Sequence, residues 1–392
     1  MEGTRTTTEL FEPGKLVSVV LDRETPNNGD SAEMTGPGAG RTVSRARRSI
    51  RRARMEARAR WDRLRRPPLV LAYHRIAELT ADPQLLAVSP VNFSAHLEVL
   101  TRFSRPVTLA QLTSAIDDRW PTRNDVVVTF DDGYADNLVH ARPLLQRYGV
   151  PATVFITTGY LGAMRGFWWD ELERLVLEPH GLPQTLRLRV GVHDLEWDLG
   201  SAAVYDADRL IGSRDWNVLA STEPDARQSL YRRLSALLTR LEADERLAVL
   251  DALRNWSSNP AASQAQAADR PLASDEVIAL AEGGLIEVGA HTHTHPALTA
   301  LTAKRKRVEI ERSRARLEEI LDRRVTSFAY PYGSLDAETV ALVSKAGFVR
   351  ACTTRPAVVR RNSDPLQLPR FVVHDCDGDV FAHRLGRLFS TS

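Results

Sequence analysis

From Leu69 onward, short apolar runs alternate with segments in which apolar residues recur every three or four positions. The first pattern builds strands buried on both faces and the second builds amphipathic helices; their alternation is what βαβ units of a parallel sheet produce. Seven runs are predicted as strands: Leu69–Tyr73, Val126–Phe130, Thr153–Thr157, Ile286–Ala290, Val325–Tyr330, Phe348–Thr353 and Leu368–Val373. Helices are predicted between them at about 92–103, 109–118, 135–148, 275–282, 302–322 and 336–346. No G-x-G-x-x-G follows the first strand and no G-K-[ST] loop occurs, so a parallel barrel suits the pattern better than a nucleotide-binding sheet.

The rhythm breaks between the third and fourth strands. Residues 166–274 hold the alternating stretch LRLRVGVHDLEWDL (186–199), which predicts a hairpin, then two helix-period segments ending near Trp256, then a Ser/Ala/Gln/Pro linker. This reads as an inserted subdomain, and its place after a strand puts it on the rim where barrel enzymes bind substrate. Ahead of the first strand, residues 26–40 are rich in Gly, Pro, Asn and Ser and cannot bury enough apolar surface to offset chain entropy. After this flexible linker, Ile50, Ala57, Trp61 and Leu64 share one face of a predicted helix. The organisation read from the pattern is an N-terminal extension over 1–66 and a barrel over 67–392 that carries the insertion at about 166–274.

Charge changes this picture in one place. The formal net charge is only +2, yet residues 41–66 carry 12 Arg against Glu56 and Asp62, and the chain beyond residue 66 sums to −4. Such a segment reads either as a solvated, weakly ordered leader or as a basic amphipathic helix that lies on an anionic membrane surface, which suits it better than nucleic acid. The 43% hydrophobic and 26% charged content is ordinary for a globular protein and excludes a fibre or a membrane bundle. There is no basic-then-apolar leader at the N-terminus and no apolar run of about 18 residues, so the expectation is a cytoplasmic protein, at most peripheral to a membrane. Cys352 and Cys376 are too few for a disulfide framework and are expected to be free thiols.

The chemistry concentrates at predicted strand ends. VVVTF runs into Asp131-Asp132-Gly133, and adjacent carboxylates suit a core poorly unless a partner or a metal takes the charge. IEVGA runs into His291-Thr292-His293-Thr294-His295-Pro296. Histidines four apart converge on one side of a turn and can offer two imidazole nitrogens to one ion, so His291 and His295 are assigned as metal ligands and His293 is left out. One carboxylate and two imidazoles leave a coordination position open for water, whose pKa a divalent cation lowers toward neutrality. The second carboxylate is then free to act as general base. Asp132 is assigned as ligand and Asp131 as base, a choice that spacing alone leaves open in both directions.

Two further strand ends belong to the same face. Pro331-Tyr332-Gly333 forms a turn whose backbone N–H groups can hold an oxyanion. His374, after Arg370-Phe371-Val372-Val373, is placed as general acid for an amine leaving group, since imidazole titrates near working pH.

These residues resemble the polysaccharide deacetylases of the NodB-homology type, carbohydrate esterase family 4. That family's T-F-D-D-G stands as Thr129-Phe130-Asp131-Asp132-Gly133 and its H-[ST]-x-x-H as His291-Thr292-His293-Thr294-His295. The resemblance implies a distorted (β/α)7-type barrel, with Asp131 as base and Asp132, His291 and His295 around one divalent ion, zinc ahead of cobalt, nickel or manganese. It also implies an acetylated glycan as substrate. The family's R-x-P-Y reads Ala329-Tyr330-Pro331-Tyr332, so the arginine that orients the base is absent from its usual place, and Arg370 is a candidate to replace it. The family's L-x-I-x-H is approximated by Arg370-Phe371-Val372-Val373-His374, which supports His374 as acid. F-A-Y-P-Y-G and the opening Leu71-Ala72-Tyr73-His74-Arg75-Ile76 resemble the branch acting on poly-N-acetylglucosamine-like exopolysaccharides. His74, Pro331, Tyr332 and Trp168 are taken as substrate contacts; Trp168 and Trp169 either offer an aromatic face on which sugar rings stack or pack the insertion onto the barrel.

The resulting expectation is a hydrolase that removes acetyl groups from N-acetylated amino sugars. Its alternatives are an O-acetyl esterase of the xylan type and a non-catalytic glycan-binding protein on the same barrel, the latter motivated by Ala329. A further alternative makes the basic segment a tether and the barrel its cargo.

Overall fold

The computed structural model describes residues 67–118, 124–178, 180–204, 214–258 and 269–390. The extension 1–66, with its predicted linker and basic helix, lies outside these residues, as does most of the linker expected before residue 274.

The chain opens with β1 (Leu69–Tyr73) and a short parallel ribbon of β2 (Arg75–Ile76) and β3 (Ala87–Val88). Helix α1 (Pro90–Phe103) starts on Ser89, whose hydroxyl accepts from Asn92 N–H, with proline in the first turn where no N–H is needed. Next come β4 (Arg105–Pro106), α2 (Leu109–Asp118) and β5 (Asp125–Phe130). One π turn, Asn137–Ala141, precedes α3 (Arg142–Tyr148), so the helix predicted over 135–148 is divided. Pro143 lacks the N–H that a continuous α-helix would have used there.

After β6 (Ala152–Ile156) come α4 (Trp168–Val176), the antiparallel hairpin of β7 (Thr185–Val190) and β8 (His193–Asp198), and the helices α5 (Ala226–Arg240) and α6 (Ala243–Ser257). The alternation in β7 buries Leu186 and Leu188 on one face. The chain then regains its rhythm: α7 (Ser274–Ala281), β9 (Ile286–Ala290), α8 (Ala303–Leu321), β10 (Ser327–Ala329), α9 (Ala337–Lys345), β11 (Arg350–Cys352), β12 (Phe371–Val372) and α10 (Gly378–Ser390).

Seven parallel strands follow one another in the order β11-β10-β9-β6-β5-β1-β12, with β4 added at the start of β5. The sheet curls until its two edges approach. Leu368 N–H donates to Ala351 and Thr353 N–H donates to Leu368, both at 2.8 Å, so the segment leading into β12 touches β11. Pro369 has no N–H to continue that ladder, which is why the strand expected over Leu368–Val373 shrinks to its end. The result is the distorted barrel the motifs implied.

Successive strand residues point to opposite faces, and the barrel uses both. Leu69, Leu71, Val126, Val128 and Phe130 pack outward against the helices. Val70, Val127, Phe155, Ala329, Cys352 and Leu368 fill a second apolar cluster within the curl. Thr129 and Asp131 continue the register of Val127, and Arg370 that of Leu368, so charged groups stand directly above an apolar floor. The residues between β6 and β9 form a third cluster around Phe167, Trp168, Trp169, Leu230, Leu234 and Leu253. Among the described residues no helix is long and apolar enough to cross a membrane, and both cysteines are free.

Candidate metal centre

Three side chains from two strand ends meet over the curl. Asp132 follows β5; His291 and His295 follow β9. The His295 Nε2 lies 3.3 Å from Asp132 Oδ1 and 3.2 Å from His291 Nε2, and the third edge, His291 Nε2 to Asp132 Oδ1, is 3.7 Å. Donors about 2.0–2.1 Å from one tetrahedral ion stand about 3.3–3.4 Å apart, so this triangle has the size a zinc-like ion requires. All three side chains are buried, and they offer one oxygen and two nitrogens of the type divalent metals bind.

The remaining ring nitrogens show why the correct faces point inward. His291 Nδ1 lies 2.8 Å from the Ala329 carbonyl, to which it can only donate, leaving Nε2 unprotonated for a metal. The residue that replaces the family's arginine thus serves the site through its backbone. His295 Nδ1 lies 3.0 Å from the Tyr332 hydroxyl. Burial depresses the His291 pKa to about 4 against the pull of Asp131, which keeps the ring neutral and able to donate its lone pair.

The loop that carries the two histidines is held in an uncommon shape. Thr292 has φ 63° and His295 φ 57°, the left-handed region that costs an L-residue about 1–3 kcal/mol. The Thr292 hydroxyl accepts from His295 N–H at 3.0 Å, and the Glu309 carboxylate on α8 accepts from the N–H groups of His293 at 2.9 Å and Thr294 at 2.7 Å. Gly159 packs so close that an added Cβ would lie 2.5 Å from the His293 carbonyl. His293 itself turns away to the Thr158 hydroxyl at 3.0 Å, outside the triangle.

Asp131 stands beside the ligands without belonging to them, its Oδ2 3.9 Å from His291 Nε2. Arg370 grips it with two N–H groups, Nη1 to Oδ1 at 2.7 Å and Nη2 to Oδ2 at 2.6 Å. The same guanidinium reaches the Thr353 carbonyl at 2.9 Å and the Thr129 hydroxyl at 3.1 Å. Burial pushes the Asp131 pKa up, but Arg370 and His291 outweigh it and hold the carboxyl far below the ordinary range. Asp132 is likewise lowered, its burial offset by His295 and then His74 and His291.

The other predicted residues lie around this core at varying distance. The electrostatic influence of half-buried His74 reaches Asp131, Asp132 and His374. His374 follows β12, and its Nδ1 lies 3.3 Å from the Leu85 carbonyl; burial first, and then His74, lowers its pKa. Pro331 is buried, and Tyr332 sits at φ 57° with its ring 4.7 Å from that of His295. Trp168 offers no open aromatic face: it is 3% exposed, within the insertion's core, and the Arg246 guanidinium covers its ring at 5.3 Å. Its neighbour Trp169 meets the site instead, 4.8 Å from the His295 ring, with its indole N–H donating to the Tyr134 hydroxyl at 2.6 Å. Tyr134 donates in turn to Asp170. Glu309, Arg246 and Tyr134 did not stand out in the sequence.

The polysaccharide deacetylase family profile matches residues 93–183 and 225–351. The Bacillus subtilis (strain 168) protein YxkH is 29% identical over 115 residues, which are 29% of this chain and 39% of that protein, so the chain spans well under half of that relative. Among solved structures, the Streptococcus pyogenes deacetylase PplD in complex with acetate is similar in fold, with a TM-score of 0.51 and 16% identity over 82% of this chain and 98% of that one. IcaB from Ammonifex degensii has a TM-score of 0.48 and 19% identity over 82% of this chain and 96% of its own. With the profile covering more than half of the 392 residues, and with a buried Asp–His–His triangle of metal-binding size at the strand ends of a curled parallel sheet, the chain belongs to the polysaccharide deacetylase family.

Proposed function

We propose that this chain hydrolyses the N-acetyl groups of amino sugars in a polysaccharide or glycan precursor. The observation that carries this reading is a carboxylate, Asp131, locked by Arg370 and placed 3.9 Å from a candidate ligand nitrogen. A base in that place can reach a water poised for attack at the centre. The structural neighbour PplD binds acetate, the acid such a reaction would release.

A divalent ion held by Asp132, His291 and His295, zinc first among those the O, N, N donor set accepts, would acidify water and polarise the acetyl carbonyl. Asp131 takes the proton from the attacking water. Arg370 keeps that carboxylate ionised and aims it, replacing the arginine absent at Ala329. The Tyr332 N–H donates to the developing oxyanion. His374, kept neutral at rest by burial, must gain a proton before handing one to the leaving amine, so the acid step weakens as pH rises. The C–N bond breaks, the amine leaves with that proton, and acetate remains.

The test is acetate release from N-acetylglucosamine oligomers and from acetylated xylan, with Zn²⁺, Co²⁺, Ni²⁺ or Mn²⁺ supplied. Release from the first substrate, lost in Asp131→Asn, supports the proposal. Release from xylan alone converts it to an O-acetyl esterase, and sugar binding with no turnover under any metal makes the chain a glycan-binding relative.

A further inference from the structure

Arg246 lies in the first turn of α6, far from any motif, and is 2% exposed. Its guanidinium donates at 3.0 Å to three carbonyls, those of Leu238, Leu241 and Thr294. The first two cap the end of α5 within the insertion. The third belongs to the loop that carries the histidines, one residue before His295. Glu309, from the barrel helix α8, holds the same residue from the other side, through Thr294 N–H at 2.7 Å and the Thr294 hydroxyl at 2.8 Å.

Thr294 is therefore gripped at its N–H, its hydroxyl and its carbonyl. The peptide that Arg246 fixes joins Thr294 to His295, which sits at φ 57°. Releasing that carbonyl leaves the peptide held only at its other end, by His295 N–H on the Thr292 hydroxyl at 3.0 Å, so that His295 can relax toward an ordinary φ and carry Nε2 away from Asp132 and His291. Trp168 lies over the guanidinium at 5.3 Å and leaves it little room to move.

We propose that Arg246 is a positioning residue for His295, so that the insertion sets the metal affinity of a site whose ligands all lie on the barrel. The inference rests on the ligand assignment above, and its test separates the two. The full chain is stripped of metal and titrated with Co²⁺, a competing chelator reporting affinity and the visible absorption bands reporting geometry. Binding abolished by Asp132→Ala upholds the site; binding indifferent to that change overturns the site and this inference with it.

On an upheld site, Arg246→Met keeps an apolar stem without donors and is expected to bind Co²⁺ about 10- to 100-fold more weakly, with shifted bands. Glu309→Gln weakens binding too, and the double variant falls short of the product of the single effects, because both groups act on one residue. Lower thermal stability with wild-type affinity and bands would reduce Arg246 to a cap on α5 and overturn the proposal. Should Arg246→Met not fold, Arg246→Lys takes its place, since one ammonium cannot span three carbonyls. Weakened Co²⁺ binding in that variant supports the proposal; wild-type binding overturns it.

Discussion

Arg370 and Asp131, 239 residues apart in sequence, form a two-pronged ion pair of 2.7 Å and 2.6 Å above the apolar floor of the barrel. Both side chains are almost wholly buried, Arg370 0% and Asp131 4% exposed. Removing one partner strands the other charge in a medium that cannot solvate it. Arg370→Gln is therefore expected to cost about 3–5 kcal/mol of stability. Arg370→Lys keeps the charge but loses the fork, so it should fold better than the glutamine variant and still lose kcat. Urea unfolding and acetate release, measured on the same preparations, check the two halves separately; a lysine variant with wild-type kcat would show that aim is unimportant.

A divalent ion held in the triangle would couple metal binding to the fold. An ion that binds the folded chain and not the unfolded one adds about 4 kcal/mol at a thousandfold excess over its dissociation constant. Added Zn²⁺ should therefore raise the thermal midpoint and a chelator should lower it. His295→Ala, which deletes one corner of a triangle with edges of 3.2–3.7 Å, should melt at one temperature in both solutions. A metal-dependent midpoint in that variant would place the ion elsewhere.

How much of this was legible in the sequence depended on whether the signal was local. The bounds of β1 and β9 coincide with the predicted runs, because strands buried on both faces are apolar almost throughout, half-buried Glu287 in β9 excepted, and stop where polar site residues begin. Asp132, His291 and His295 stood out since two motifs of polar residues at strand ends have no packing explanation. Arg370 is legible only through the resemblance, as a candidate to replace the arginine absent at Ala329. In contrast, α10 was missed although Phe381, Leu385 and Phe389 recur at helical spacing, its pattern being short and terminal. The helix α4 was missed because Phe167, at its N-cap position, makes no side-chain cap. Arg246 and Glu309 were invisible: their roles lie in contacts with a loop 48 and 15 residues away, and nothing sets them apart from the other charged residues of their helices.

The wall against His295 depends on one hydroxyl. Tyr134 accepts from the Trp169 indole at 2.6 Å and donates to Asp170 at 2.9 Å, all three being buried. Burial, with Asp269 adding to it, raises the Asp170 pKa to about 7, and the Tyr134 hydroxyl is among the groups that oppose the rise. Tyr134→Phe deprives an indole N–H of its acceptor and a carboxylate of a donor. The expected loss is about 1–3 kcal/mol, with wild-type metal affinity, because neither partner of the hydroxyl, Trp169 or Asp170, lies on the loop that carries His291 and His295. Denaturant midpoints together with a Co²⁺ titration decide it, and an unchanged midpoint contradicts the argument.

The C-terminal helix is clipped to α1 by a histidine that must stay neutral. His96 Nε2 lies 2.8 Å from the Cys376 carbonyl and Nδ1 lies 3.3 Å from the Tyr73 hydroxyl, while Phe381 of α10 stacks on the ring at 4.0 Å. The tautomer is fixed: Nε2–H donates to the carbonyl and Nδ1 accepts from tyrosine. Burial lowers the pKa from 6.5 to about 4; the Cys376 carbonyl and the charges of Asp375 and Asp377 oppose the fall, and Arg384 assists it. Above pH 6.5 neither folded nor unfolded chain protonates this ring, and nothing is lost. Below it, the unfolded chain takes up a proton that the folded chain refuses until about pH 4, so stability drains across that window by up to about 3 kcal/mol. His96→Gln can keep a donor and an acceptor without titrating, and should flatten that part of the profile. Urea midpoints of wild type and variant across the window test the assignment; parallel profiles would mean that another group governs the acid limb.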